Sequence, residues 1–180
     1  MASYDYVQLF LFGLLCIGAA SAETSSPTIR ALTDFDINKV YGDWFLGKMC
    51  GPDNNTLDKS ACFRMSIKKI NETNLQIVIT TTPPERPETI NIDISENAGT
   101  WRYVDGNRIS QVIYLSEDGS AMELATGIKD QTVPGLLLLS KQLPLSPEKK
   151  AEVLHAEEIA GVPEHIHFSK WESEATCPST

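Results

Sequence analysis

Apolar and polar residues alternate along much of the chain between residues 43 and 142. In residues 89–94 every second residue is an isoleucine, and in residues 75–82 Leu75, Ile77 and Ile79 occupy one face. Alternation with a period of two is typical of strands that bury one face and expose the other. It predicts eight short strands, at residues 43–48, 61–68, 75–82, 89–94, 100–104, 111–116, 120–126 and 135–142.

Turn-forming residues separate the predicted strands. They are Asn-Glu-Thr-Asn at 71–74, a proline-rich stretch at 83–87, Asp-Gly at 105–106 and 118–119, and Pro-Gly at 134–135. Asn, Asp and Gly tolerate a positive φ and Pro fixes φ, so these residues favour reversals of the chain. Eight short strands joined in this way are typical of an all-β sandwich or an up-and-down barrel.

A helix is predicted after the last of these strands. Ser146 can cap its amino terminus, Pro147 suits the first helical position, and Glu148 favours the positive end of the helix dipole. Gly161 and Pro163 end the helix. The residues expected on its apolar face are Val153, Leu154, Ala156, Ile159 and Ala160.

The polar residues of this helix are expected to face solvent. His155 lies among glutamates, and Glu157 and Glu158 are interpreted as a solvated helix face rather than as a catalytic carboxyl pair. A catalytic pair needs one carboxyl buried beside another, which the sequence pattern does not indicate. A closing strand is predicted at residues 165–171.

The first residues have the features of an export signal. Residues 9–20 form an uncharged apolar run, and Ala20-Ser21-Ala22 follows as a small-residue cleavage pattern. The run is shorter than the roughly 20 residues that cross a bilayer. We therefore expect a signal peptide at 1–22, an N-terminal lead at 23–33 and one extracellular domain at 34–180, with no transmembrane segment.

The net charge of the chain is −9 at pH 7, and it becomes −8 once the signal peptide with Asp5 is removed. An acidic surface repels phosphate backbones, and the sequence contains no basic cluster that would offset this repulsion. Nucleic acid is therefore not an expected partner.

Three cysteines, Cys50, Cys62 and Cys177, remain in the predicted mature chain. In an oxidising compartment they predict one disulfide bond and one remaining thiol. Two sequons, at Asn54 and Asn71, lie in polar stretches and predict N-glycosylation in the same compartment. The expected state is a monomer or a weak dimer, the latter joined through Cys50.

Familiar catalytic motifs are absent from the sequence, which contains no P-loop, dinucleotide fingerprint, nucleophile elbow or HExxH. His165 and His167 have a spacing that would put both imidazoles on one side of a strand, but a solvated edge strand explains them without a third ligand. Cys50 could be a nucleophile only with a depressed pKa, for which Lys48 is weak support. We expect no metal site, no required cofactor and no enzymatic activity.

Residues 34–45, DFDINKVYGDWF, resemble the first signature of the lipocalin family, with Gly42 and Trp44 as its Gly-x-Trp. In that family the tryptophan lies at the closed end of an eight-stranded calyx. Only Asp118 matches the second signature of the family. Lys141 stands where the third signature has an arginine that packs over the tryptophan.

The end of the chain resembles the apolipoprotein D group of lipocalins and its insect relatives, including the Cys-Pro at residues 177–178. In those proteins that cysteine pairs with one at the start of the second strand. The resemblance therefore implies a Cys62–Cys177 disulfide.

The resemblance also implies an all-β, eight-stranded, antiparallel up-and-down barrel with a C-terminal helix and a closing strand. Such a barrel can hold one small ligand, so we expect a carrier or scavenger of a hydrophobic molecule. Fatty acids, sterols, retinoids, bilin pigments, haem and odorant-like molecules all have precedents in the family. The candidate lining residues are Ile77, Ile79, Ile90, Ile92, Trp101, Tyr103 and Tyr114, with residues 136–139 as a further wall.

Two other functions stay open at this point. The chain could bind or inhibit another protein through its loops, or it could be an isomerase that uses Cys50, as one enzymatic lipocalin does. An apolar cavity favours the carrier, a collapsed barrel favours the loop-mediated function, and an inward thiol favours the isomerase.

Overall fold

The sheet of this protein closes on itself. A computed structural model describes residues 29–50, 62–82, 87–104, 106, 108–128 and 135–167, apart from the side chains of residues 50, 82, 128 and 165. Each strand pairs antiparallel with the next, and β1 also pairs with β8, which confirms an up-and-down barrel. The strands are β1 (Gly42–Cys50), β2 (Cys62–Lys69), β3 (Asn74–Thr82), β4 (Glu88–Asp93), β5 (Thr100–Tyr103), β6 (Arg108–Leu115), β7 (Ala121–Ile128) and β8 (Gly135–Ser140).

The start of β6 differs most from the sequence prediction. Every other strand starts within one residue of its expected position, whereas β6 starts at Arg108 instead of residue 111. Ser110 lies opposite the buried Trp101, so Arg108 and Ser110 share the inward face of β6. Because these two inward residues are polar, the first half of the strand has no apolar alternation to reveal it.

Strand β8 is buried on both faces. Leu137 and Leu139 belong to the cluster inside the barrel, whereas Leu136 and Leu138 belong to clusters on its outer surface. The continuous leucine run at 136–139 therefore reflects a strand that is covered from both sides.

A single helix, α1 (Pro147–Ala160), covers that outer surface. The Ser146 side chain accepts a hydrogen bond from the backbone N–H of Lys149, and Gly161 ends the helix in the left-handed conformation with φ 80°. These are the two ends that the sequence predicts. Apolar contacts to β6, β7 and β8 hold the helix through side chains such as Val153 and Ala160.

The buried face of α1 agrees with the prediction for Val153 and Ala160, and Leu154 and Ala156 pack partly buried beside them, but it differs at two other positions. Val153, Glu157 and Ala160 are buried, while Ile159 is 62% exposed. The spacings of four and three residues put these three side chains on one stripe, so a glutamate occupies a position expected to be apolar. The prediction that Glu157 is solvated is therefore wrong, whereas Glu158 and His155 are exposed as expected.

After α1 the chain does not enter a strand at once. Glu164–Ile166 form a 3-10 turn, in place of the first residues of the closing strand predicted at 165–171. Residues 168–171 lie outside the described part of the chain. Among the helices that are described, none is long and apolar enough to span a membrane.

Candidate ligand-binding site

One end of the barrel is closed by a 3-10 turn at Ile37–Val40. Trp44 is fully buried there, and its indole Nε1 donates a hydrogen bond of 2.8 Å to the carbonyl oxygen of Val40. Lys141 crosses the same ring, with Nζ 4.7 Å from the ring centroid, and donates to the carbonyl oxygen of Lys39 at 3.3 Å. The residues of the first and third signatures thus meet at this closed end.

Gly42 and Asp118 have structural positions at the closed end. Gly42 has φ 116°, a conformation that strongly favours glycine, where the chain turns from the 3-10 turn into β1. The Asp118 carboxylate accepts hydrogen bonds from Ser116, Ser120 and Lys149, and these bonds hold its pKa below the ordinary value. Asp118 therefore ties the β6–β7 turn to the first turn of α1.

The predicted isoleucines lie inside the barrel. Ile77, Ile79, Ile90 and Ile92 are buried in one interior cluster, together with Trp101. The register pairs Ile77 with Ile90 and Ile92 with Leu75, so these side chains form a continuous apolar wall across β3 and β4. Ile94, on the same face, is also buried in this cluster.

Exposure of the inward side chains differs between the two ends of the barrel. Met122 and Leu139, near the closed end, are fully buried together with Trp44. Phe63 and Tyr103, near the opposite end, pack against the interior cluster but are only partly buried. We call this opposite end, where β1, β3, β5 and β7 finish, the far end of the barrel.

A group of polar side chains lines the interior near the far end. Tyr103 Oη and Ser110 Oγ lie 3.2 Å apart, and Ser110 Oγ donates to Thr126 Oγ1 at 3.0 Å. The guanidinium carbon of Arg108 lies 4.5 Å from the centroid of the Tyr103 ring. We call these four residues, Tyr103, Arg108, Ser110 and Thr126, the polar patch.

The sequence analysis identified only Tyr103 in this patch. Arg108 and Ser110 were missed because their strand was predicted to start at residue 111. Thr126 lies at the end of the predicted strand 120–126, and cross-strand pairing with Ser110 places it beside the patch. The polar residues at inward positions of β6 and β7 are the sequence signal that could have identified the patch.

Tyr114 does not lie inside the barrel, contrary to the prediction. It packs outside with Leu138 and Val153, and its hydroxyl donates to Glu152 on α1 at 2.5 Å. A β-bulge between Val112 and Tyr114 causes the difference, because it adds one residue to β6 and reverses the faces that follow. Burial and this hydrogen bond raise the pKa of Tyr114 above its ordinary value.

The predicted cysteines and sequons lie only partly within the described residues. Cys62 is disulfide-bonded, and no other described side chain is a cysteine, so the pairing with Cys177 stays a prediction. Cys177, Asn54 and the side chains of Cys50 and His165 lie outside the described residues. Asn71 is exposed in the β2–β3 turn, which is compatible with a glycan.

The described part of the chain contains no group of three or more His, Cys, Asp or Glu side chains that could hold a metal ion. His167 does not take part in a paired-imidazole face on a strand. Its Nε2 lies 2.8 Å from the carbonyl oxygen of Val162, directly after the 3-10 turn.

Comparisons of sequence find no match: no family model fits the chain, and no curated protein is similar enough to report. Comparisons of structure do find similar folds. One is the siderocalin Ex-FABP, described as functioning through dual ligand specificities, with 14% identity, a TM-score of 0.57 and coverage of 79% of this chain and 95% of that one.

A second similar structure is a biogenic amine-binding protein, in its selenomethionine derivative. It is 14% identical, with a TM-score of 0.57, and the match covers 75% of this chain and 81% of that one. At such low identity these likenesses concern the fold alone. The chain therefore shares its fold with these two proteins, whose names describe ligand binding.

Proposed function

We propose that this protein is a secreted carrier or scavenger that binds one small hydrophobic molecule inside its barrel. The observation that carries the proposal is the apolar inner wall, which runs from the fully buried Trp44 to partly exposed side chains such as Phe63 and Tyr103 near the far end. Apolar ligands gain about 25 cal/mol for each Å² of apolar surface removed from water, before the costs of association.

The polar patch can fix the orientation of a bound ligand, which an apolar wall alone does not do. Binding sites for small molecules combine apolar walls with a few placed polar groups that fix the orientation of the ligand. Ser110 is fully buried, and its hydroxyl bridges Tyr103 and Thr126. We infer that the polar end of the ligand meets this bridge while its apolar part contacts the isoleucine wall of β3 and β4.

The proposal requires no cofactor, metal or catalytic step. Binding and release depend on burial and hydrogen bonding alone, so the protein acts without turnover. Fatty acids, sterols, retinoids, bilins and haem are the candidate ligands, and the proposal does not choose between them. We expect export through a cleaved signal peptide to bring the protein to extracellular fluid as a monomer or a weak dimer, where its acidic surface favours solubility.

Native mass spectrometry of the protein from its source, with an absorption spectrum of the same sample, tests the proposal. The expected result is one copurifying small molecule that leaves on denaturation. N-terminal sequencing of the same sample should begin near Glu23. A protein that is free of ligand and binds another protein would favour the loop-mediated function, and turnover that requires Cys50 would favour the isomerase.

A further inference from the structure

Two glutamates face each other between α1 and the outer wall of the barrel. Glu123 lies on the outward face of β7, between Ala121 and Ala125, and Glu157 lies on the inward stripe of α1. Both side chains are fully buried. Apolar clusters flank them on either side, one around Val153 and the other around Ala160.

The Glu123 carboxyl has no hydrogen-bond partner of good geometry within the described ranges, at either oxygen. Burial raises the pKa of this carboxyl well above its ordinary value, and the neighbouring Glu157 carboxyl raises it further. Two buried carboxyls in contact cannot both ionise without a large electrostatic cost. The pair therefore retains a proton at a pH where exposed glutamates have lost theirs.

His167 lies beside the pair, directly after the 3-10 turn that follows α1. Its Nε2 lies 2.8 Å from the carbonyl oxygen of Val162, and because a carbonyl only accepts, Nε2 must carry a hydrogen. Its Nδ1 lies 4.0 Å from Glu157 Oε2.

The barrel strands around the pair contribute few other charges. The outward residues of β8 next to Glu123 are leucines, and the hydroxyl of Tyr114 on β6 is engaged with Glu152. Lys48 on β1 lies across Leu138 from Glu123, is buried on the same outer surface and has interactions of its own.

The remaining charged groups belong to the segments on either side of the helix. Lys150 on α1 and Glu164 after it have interactions of their own, and Arg30 in the N-terminal lead is exposed. Neither oxygen of Glu123 accepts a hydrogen bond from a lysine or arginine in the part of the chain that the structure describes. A negative charge on Glu123 would therefore be stabilised poorly.

We propose that the buried carboxyl of Glu123, packed beside Glu157 under α1, is a proton-dependent latch, which holds α1 on the barrel while Glu123 is protonated and loosens the helix when that proton is lost. The latch acts outside the barrel and is separate from the ligand site. It makes the docking of the helix, and with it the outer support of β6, β7 and β8, sensitive to the pH of the surrounding fluid.

The sign of the effect follows from proton binding. A carboxyl whose pKa is higher in the docked state than in the undocked state contributes stability at low pH, and this contribution is lost as the pH rises. The loss begins near the ordinary glutamate pKa, about 4.3, and continues up to the raised pKa of Glu123. Within that window each pH unit weakens docking by up to about tenfold.

Hydrogen exchange of α1 amides, corrected for the intrinsic effect of pH, tests the latch between about pH 5 and about pH 8. In the wild type the protection of α1 should fall by about tenfold or more, while that of β3 stays constant. Glu123→Gln should abolish this fall, because Gln keeps the shape and cannot ionise. Glu158→Gln, at an exposed position of the same helix, is the matched control and should behave as wild type.

Two results of this experiment would contradict the latch. Constant protection of α1 in the wild type over this pH range would overturn the latch, as would a fall that persists in Glu123→Gln. If Glu123→Gln does not fold, Glu123→Met replaces it, because it also removes the ionisable group, and the same loss of pH dependence is expected. Ligand binding is not part of this readout, so the latch and the carrier function can fail separately.

Discussion

Lys141 lies across the ring of Trp44, with its Nζ 4.7 Å from the ring centroid, and it also donates to the carbonyl oxygen of Lys39. One cation thus joins the end of β8 to the start of β1 and to the turn that closes the barrel. The indole Nε1 of Trp44 donates a hydrogen bond to the carbonyl oxygen of Val40 in the same turn. Trp44 and Lys141 together connect the pairing of β1 with β8 to the 3-10 turn at the closed end of the barrel.

Trp44→Ala should cost about 3–5 kcal/mol in the free energy of unfolding, because it truncates a large, fully buried side chain. Trp44→Phe should cost less, since it keeps most of the packing and loses the indole hydrogen bond, worth about 1 kcal/mol. Lys141→Ala should cost about 0.5–1 kcal/mol, the usual value of an exposed cation–π contact. Urea denaturation measures all three, and a Trp44→Ala protein as stable as wild type would contradict this account of the closed end.

Two tyrosines give a matched test of which side of the wall is the binding site. Tyr103 has its hydroxyl in the polar patch inside the barrel, whereas the Tyr114 hydroxyl donates to Glu152 outside it. Tyr103→Phe should weaken ligand binding several-fold, because a hydrogen bond contributes about 0.5–1.5 kcal/mol. Tyr114→Phe should leave the Kd unchanged and lower the stability of the fold by a similar amount.

Isothermal titration of both variants with the same ligand makes this comparison. An unchanged Kd for Tyr103→Phe together with a weakened Kd for Tyr114→Phe would reverse the assignment. It would place the ligand beneath α1 instead of inside the barrel.

The disulfide of Cys62 is expected to join it to Cys177. Such a bond closes a long loop, and the chain-entropy model gives it about 4–5 kcal/mol of stabilisation. Peptide mapping of the unreduced protein identifies the partner. A Cys50–Cys62 peptide would show that the implied pairing is wrong and would leave Cys177 as the remaining thiol.

Asp118 should make the free energy of unfolding depend on pH under acidic conditions. Hydrogen bonds from Ser120, Ser116 and Lys149 lower its pKa, so its contribution is present above the ordinary aspartate pKa, about 3.9, and is lost as the pH falls further. Asp118→Asn should therefore be less stable than wild type near neutral pH, and the difference should shrink on acidification. Asp43→Asn, which removes a carboxylate at an exposed position of β1, is the control for a general loss of negative charge.

Local patterns are enough to predict most of this fold. The caps at Ser146 and Gly161 place the helix, and alternating or continuous apolar segments between turn residues place seven strands within one residue at their starts. The bulge in β6 is different, because nothing in the residues around Ile113 marks it, and its effect is to move Tyr114 to the other side of the wall.

The buried acid pair could have been predicted in part. The spacing of Val153, Glu157 and Ala160 puts a carboxyl on the buried stripe of α1, and Glu123 alternates with the small residues Ala121 and Ala125 on the outward face of β7. Small outward residues indicate a strand covered by a helix. The sequence pattern does not indicate the long-range packing that brings the two carboxyls together.

A displacement titration measures the central claim most directly. An environment-sensitive dye bound in the barrel is competed with a fatty acid, a sterol, a retinoid, a bilin and haem in turn. The account predicts that at least one of them binds in a single site with a Kd below about 10 μM, which corresponds to roughly −7 kcal/mol. Failure of the whole panel to displace the dye or to bind at that level would contradict the carrier function.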